Sequence, residues 1–95
     1  MQTMTANQLK KRLEQNDVIL IDVREPAEYK TGYIEGAFLI PLAEISCEKL
    51  ATQSRPIVVY CHSGKRSATA CKKLLEQNPD LEVYNLEGGI LAWKG

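Results

Sequence analysis

The apolar positions of this chain fall into short runs with two different periods. Val18-Ile19-Leu20-Ile21 and Ile57-Val58-Val59-Tyr60 are continuous β-branched and apolar stretches. That is the pattern of strands buried on both faces, which a parallel sheet requires. Elsewhere the period is helical. Thr5-Ala6-Asn7-Gln8 has the form of a capping box. Leu9 and Leu13 follow at helical spacing, with Lys10, Lys11, Arg12 and Glu14 on the wet side. This predicts a helix over 6–15 that stops near Asn16-Asp17. A short helix opens at Glu25-Pro26-Ala27-Glu28-Tyr29, with Pro26 in its first turn, and ends at Thr31-Gly32. Residues 37–40 predict a short strand stopped by Pro41, and 42–50 a helix with Leu42, Ile45 and Leu50 inward. A helix over 66–77 carries Ala70, Leu74 and Leu75 on one face and ends at Asn78-Pro79. A strand at 81–84 follows, and Gly88-Gly89 lead into a terminal helix at 90–93. Strands alternating with helices predict an α/β fold with a mostly parallel sheet. At 95 residues a single domain, 1–95, is expected.

Charge narrows the function classes. Twelve Lys and Arg balance twelve Asp and Glu, giving zero net charge. A nucleic-acid partner held by bulk electrostatics is not expected, because such binders carry a basic surplus. No apolar run approaches the roughly 20 residues needed to span a bilayer, and the N-terminus lacks a signal-type apolar segment. The expected location is cytoplasmic. Three cysteines (Cys47, Cys61, Cys71) form an odd set without a CxxC pair, a poor disulfide framework that fits reduced thiols.

In parallel sheets, ligands gather outside the carboxyl ends of the strands. Strand 18–21 runs into Asp22-Val23-Arg24, and strand 57–60 into Cys61-His62-Ser63-Gly64-Lys65-Arg66-Ser67. A short polar loop between a buried strand and a helix can converge its amides on one point, making an anion-binding nest. The helix adds its positive N-terminal end. A thiolate at Cys61 is stabilised there, so its pKa is expected below the free value of about 8.5. Lys65 and Arg66 add positive charge. Gly64 permits a backbone conformation that a Cβ would resist. Ser67 can cap the helix or donate a hydrogen bond to the sulfur. The alternative is a buried strand-end cysteine beside an ordinary turn, since cysteine is among the most buried residue types. Asp22 and Arg24 are read either as a wall of the cleft or as a structural salt bridge. Cys71 and Cys47 are read as small core residues rather than resolving thiols.

Tyr60-Cys61-His62-Ser63-Gly64-Lys65-Arg66-Ser67 resembles the active-site loop of the rhodanese, or sulfurtransferase, family, whose common form is Cys-x-Ser/Thr-Gly-x-Arg-Ser/Ala. Three further segments resemble the family in the same order: Ile21-Asp22-Val23-Arg24-Glu25-Pro26-Ala27-Glu28-Tyr29; Gly32-Tyr33-Ile34-Glu35-Gly36-Ala37 with Ile40-Pro41; and Leu86-Glu87-Gly88-Gly89-Ile90-Leu91-Ala92-Trp93. Tyr33 departs from the family, which often has His there. The resemblance implies a single rhodanese-like domain with helices on both faces of a central sheet. It also implies that Cys61 carries a persulfide during turnover.

On that basis Cys61 is expected to be the catalytic nucleophile, and His62, Ser63, Gly64, Lys65, Arg66 and Ser67 to bind substrate. The Cys61 thiolate would take the sulfane sulfur of a small anionic donor such as thiosulfate and pass it to cyanide or a thiol. No metal, nucleotide or organic cofactor is expected, nor a membrane or nucleic-acid partner. The same residues also suit a carrier that hands sulfur to a partner protein, or a non-enzymatic binding or regulatory module. A phosphatase needs Cys-x5-Arg, and the sixth residue after Cys61 is Ser67. A zinc site from Cys47, Cys61, Cys71 and His62 lacks zinc-site spacing.

Overall fold

The two continuous apolar runs become adjacent central strands, and their alternation divides the core. In the structure, a computed structural model that describes residues 1–50 and 55–94, β2 (Ile19–Asp22) pairs in parallel with β4 (Ile57–Tyr60), Ile19 opposite Ile57 and Asp22 opposite Tyr60. The other strands are β1 (Gln2–Met4), β3 (Phe38–Leu39) and β5 (Val83–Leu86). They complete a five-stranded, all-parallel sheet in the order β1-β5-β4-β2-β3.

The helices are α1 (Ala6–Glu14), α2 (Pro26–Lys30), α3 (Lys65–Gln77) and α4 (Gly89–Lys94). Period-two alternation sends successive side chains to opposite faces. Ile19, Ile21, Ile57, Val59, Cys61 and Val83 meet Ala70, Cys71 and Leu74 of α3 in one buried cluster. Leu20, Val58, Tyr60 and Leu86 meet Leu9 of α1 and Ile90 of α4 in another. Both sheet faces are therefore covered, as a parallel sheet demands. The predicted capping box of α1 is present, with the Thr5 hydroxyl accepting from the Gln8 amide and the Gln8 side chain accepting from the Thr5 amide.

Three elements differ from the sequence-based expectation. Residues 42–50 are not one helix but two 3-10 turns, Leu42–Glu44 and Cys47–Leu50, separated by extended backbone at Ile45. Their apolar residues are spaced by three and then by five. The fourth position after Ile45 is Lys49, so a continuous helix would turn Leu50 off the inward stripe. The break keeps both Ile45 and Leu50 buried. The last strand begins two residues later than expected, because the turn after α3 extends to Leu81, whose amide donates to the Asn78 carbonyl. β1 was not expected at all: it is a three-residue edge strand that buries only Met4.

Candidate active site

Cys61 is the first residue beyond β4, and strand alternation turns it toward α3. It is 1% exposed. Burial alone would make it an inert core thiol, so its surroundings decide its chemistry. The chain turns through His62 and Ser63, both exposed, to Gly64, which precedes α3 with φ 109°. That left-handed geometry suits a residue without a Cβ. The Gly64 amide donates to Cys61 Sγ at 3.1 Å.

The orientation of the loop is enforced from outside. The Cys61 carbonyl accepts from the Ile90 amide at 2.9 Å, and the His62 carbonyl from the Leu91 amide at 3.3 Å. In a trans peptide the carbonyl and the following N–H point opposite ways. Holding the His62 carbonyl toward α4 therefore turns the Ser63 amide toward the sulfur. The contact is close because Gly89 has no side chain: a Cβ there would lie 2.4 Å from the His62 carbonyl oxygen.

Burial is the largest influence on the Cys61 thiol and pushes its pKa up. The Ser67 hydroxyl and the amides of Ser67, Gly64 and Ser63 act the other way. Together they bring it below the ordinary thiol value. This is the nest expected from the sequence, with a hydroxyl and three amides rather than side-chain charges acting on the sulfur.

The flanking charges are arranged differently from the expectation. Arg66 does not project freely toward a donor. Its two terminal nitrogens fork onto Glu28 of α2 at 2.7 and 2.9 Å. Glu28 also accepts from the Glu25 amide at 3.0 Å. The Arg66 guanidinium first, and that amide second, hold the Glu28 carboxyl down to about 2. A carboxylate with a depressed folded pKa stabilises the fold fully above its unfolded value of about 4.3, and this stability is lost as pH falls through the folded value. Glu28→Gln is expected to leave neutral-pH stability within about 1 kcal/mol, because both side chains are about a third exposed. In urea unfolding, the parent should lose more stability than Glu28→Gln between pH 6 and pH 3. Equal losses would show that the pair contributes nothing.

Asp22 and Arg24 close on each other rather than on a cleft. Asp22 is fully buried and Arg24 is 4% exposed. The Arg24 Nε and Nη2 donate to the Asp22 carboxylate at 2.8–3.1 Å, and the Arg24 amide donates to it at 2.8 Å. Arg24 Nη2 also donates to the Gly32 carbonyl at 2.8 Å, tying down the loop after α2. The pair thus has the architectural form, each ion hydrogen-bonded to the other where burial would otherwise be costly. Tyr33, the departure from the family pattern, stacks on Tyr29 with ring centroids 4.1 Å apart. Lys65 is exposed at the start of α3.

Cys71 lies on the core-facing side of α3, and burial pushes its thiol up to about 11. Cys47 donates to the Leu74 carbonyl at 3.5 Å. All three cysteines are free. Among the described residues no group of three or more His, Cys, Asp or Glu is placed to hold a metal, and no helix is long and apolar enough to cross a membrane.

Two contributors escaped the sequence reading. Glu28 lay unassigned within a helix, although its fork onto Arg66 links α2 to the loop. Asn85 of β5 is buried beside Ser67 and bonds both to it and to the Gly64 carbonyl. A lone Asn in an apolar strand was the available signal.

The sequence profile described as a rhodanese-like domain matches residues 5–95. The chain belongs to the rhodanese-like domain family. It is 42% identical over 78 residues to a sulfurtransferase of Allochromatium vinosum, covering 81% of this chain and 72% of that protein. It is 35% identical over 96 residues to the thiosulfate sulfurtransferase GlpE of Shewanella oneidensis, covering 95% of this chain and 89% of that one. A crystal structure of a rhodanese-related protein from Thermoplasma volcanium superposes with a TM-score of 0.84 at 28% identity, covering 99% of this chain and 91% of that one. The chain spans only 51% and 60% of two other curated relatives. Relatives that carry sulfurtransferase names support a sulfurtransferase at the level of the family.

Proposed function

We propose that the domain moves a sulfane sulfur through a persulfide on Cys61, from an anionic donor such as thiosulfate to cyanide or a thiol. The observation that carries this is a cysteine at the carboxyl end of a central strand whose sulfur accepts a backbone N–H at 3.1 Å and whose thiol is shifted toward ionisation despite burial. The naming of the Shewanella relative supports thiosulfate as the donor.

In the first step the Cys61 thiolate attacks the outer sulfur of thiosulfate. An S–S bond forms to Cys61, the sulfur–sulfur bond of thiosulfate breaks, and its electron pair leaves with sulfite. The persulfide keeps one negative charge and carries the reactive atom about 2 Å off Sγ. The loop amides stabilise that charge without reorganising. In the second step cyanide or a thiolate attacks the outer sulfur and the thiolate of Cys61 departs. Exposed His62, Ser63 and Lys65 form the rim through which donor and acceptor approach. Arg66, held by Glu28, supplies a fixed background of charge rather than a mobile clamp. Ser67 sits where a phosphatase would carry its phosphate-binding Arg, which favours a single sulfur over a phosphoryl group. Three free thiols support a reducing compartment such as the cytosol.

The test is intact mass after incubation with thiosulfate in the absence of reductant, followed by peptide mapping. A gain of one sulfur, located at Cys61 and removed by cyanide, is expected. A gain located at Cys47 or Cys71, or none with any sulfane donor, would overturn the proposal. A rim this open also suits hand-over to a partner protein's thiol. In that case the persulfide forms, but small thiols discharge it slowly.

A further inference from the structure

Ser67 has one hydroxyl proton and two acceptors facing it. Asn85 Oδ1 is 2.5 Å from Ser67 Oγ and Cys61 Sγ is 3.4 Å away. The Asn85 amide cannot be turned around. Its Nδ2 donates to the Gly64 carbonyl at 3.1 Å, and reversal would set two carbonyl oxygens against each other. Oδ1 therefore faces Ser67, and because Oδ1 carries no proton, the proton between them belongs to Ser67. At 2.5 Å the contact is at the short end of O–H···O geometry, whereas a neutral thiol sulfur is a weak acceptor. Both side chains are buried, Ser67 fully and Asn85 at 9% exposure.

We propose that Asn85 is a positioning residue that holds the Ser67 hydroxyl proton away from Cys61 while the sulfur is neutral and yields it when the sulfur is charged. A thiolate or persulfide is a far better acceptor than a thiol, since hydrogen bonds to ionised groups are roughly twice as strong. Rotation about the Ser67 Cβ–Oγ bond moves the proton from Asn85 to sulfur with no other atom displaced. In the neutral state the oxygen lone pairs of Ser67 face Sγ and can accept the S–H. Ser67 is thus an acceptor for the thiol and a donor for the anion, and Asn85 sets the balance between the two. The Nδ2 bond to Gly64 ties this switch to the residue whose amide already binds the sulfur. The charged groups around Cys61 are Arg66, with its partner Glu28 from α2, and the rim residues His62 and Lys65. The Arg66 guanidinium is directed to Glu28 rather than to Ser67 or Asn85.

The role assigned to Asn85 rests on the reading of Cys61 as the sulfur carrier, but its test does not need turnover. The pH dependence of iodoacetamide alkylation at Cys61 gives the thiol pKa of the parent, Ser67→Ala, Asn85→Val and the double variant. In the parent, the gain at sulfur is offset by the bond given up at Asn85, so Ser67→Ala should raise the pKa by less than about half a unit. In the Asn85→Val background nothing competes, and the same change should raise it by about one unit or more. A purely structural role for Asn85 would make the effect of Ser67→Ala the same in both backgrounds, and that result would overturn the proposal. Asn85→Leu, closer in shape, replaces Asn85→Val should the latter not fold. The comparison of parent with Ser67→Ala stands alone: a rise of a full unit there would also overturn the proposal. A failure of persulfide formation in the mass experiment would remove the carrier reading while leaving these pKa values to be judged by themselves.

Discussion

Cys61→Ser is expected to abolish sulfur transfer while leaving the fold in place. Turnover should fall at least about a thousandfold, to background, because no other group can take over the nucleophilic step. Cys71 is the nearest chemical substitute along the chain, but its thiol is pushed up to about 11. At pH 7 only about one molecule in ten thousand would carry that thiolate, and it is buried in the core. Cys47 is partly buried against the core and held to the Leu74 carbonyl of α3. Stability should change by about 1 kcal/mol. A serine oxygen can still accept the Gly64 amide, but sulfur contacts in the core are lost, because Cys61 is 1% exposed rather than at an open loop edge. Turnover and guanidinium unfolding of parent and variant check both halves. Turnover within tenfold of the parent would mean that sulfur does not pass through Cys61.

Much of the fold was legible because the central strands are buried on both faces and so announce themselves as unbroken β-branched runs. The strand ends followed, and with them the candidate site, since a search for chemistry at the carboxyl ends of a parallel sheet needs only the strands to be located. The cysteine loop could be read at the level of backbone chemistry: a short polar turn into a helix converges amides whatever its side chains are. Two kinds of information were not legible. Pairings between distant segments, such as Glu28 with Arg66 across 38 residues, leave no local pattern. Boundaries of weak strands are set by turns rather than by the strand itself. With β5 expected at 81–84, Asn85 fell outside the sheet; the turn at Asn78–Leu81 moves the strand two residues on and brings Asn85 against Ser67. The two 3-10 turns at 42–50 show the same dependence, since the apolar spacing there fits neither helix nor strand and only the core decides.

Gly89→Ala should be the most damaging single-methyl addition at the site. Gly89 has φ +60°, and the added carbon would lie 2.4 Å from the His62 carbonyl oxygen and 2.5 Å from that of Cys61. Both obstacles are backbone, so no side chain can rotate out of the way. Either α4 or the cysteine loop must move, and with it the bonds from the Ile90 and Leu91 amides that turn the loop carbonyls outward. Left-handed backbone alone costs alanine about 1 kcal/mol, and the clash should raise the loss of stability to about 3 kcal/mol. Gly36→Ala is the control: Gly36 also has positive φ, but nothing lies within 4 Å of its added carbon, so it should lose only the smaller amount. The functional consequence follows from peptide geometry. Once the His62 carbonyl is released, the Ser63 amide is no longer held toward the sulfur, and the thiol should drift up from its lowered value. Gly89→Ala should therefore combine a raised Cys61 pKa in the alkylation profile with at least a tenfold slower sulfur transfer, whereas Gly36→Ala should leave both unchanged. A Gly89→Ala protein as unstable as expected but with the parent's thiol pKa would show that α4 supports the fold without orienting the loop amides.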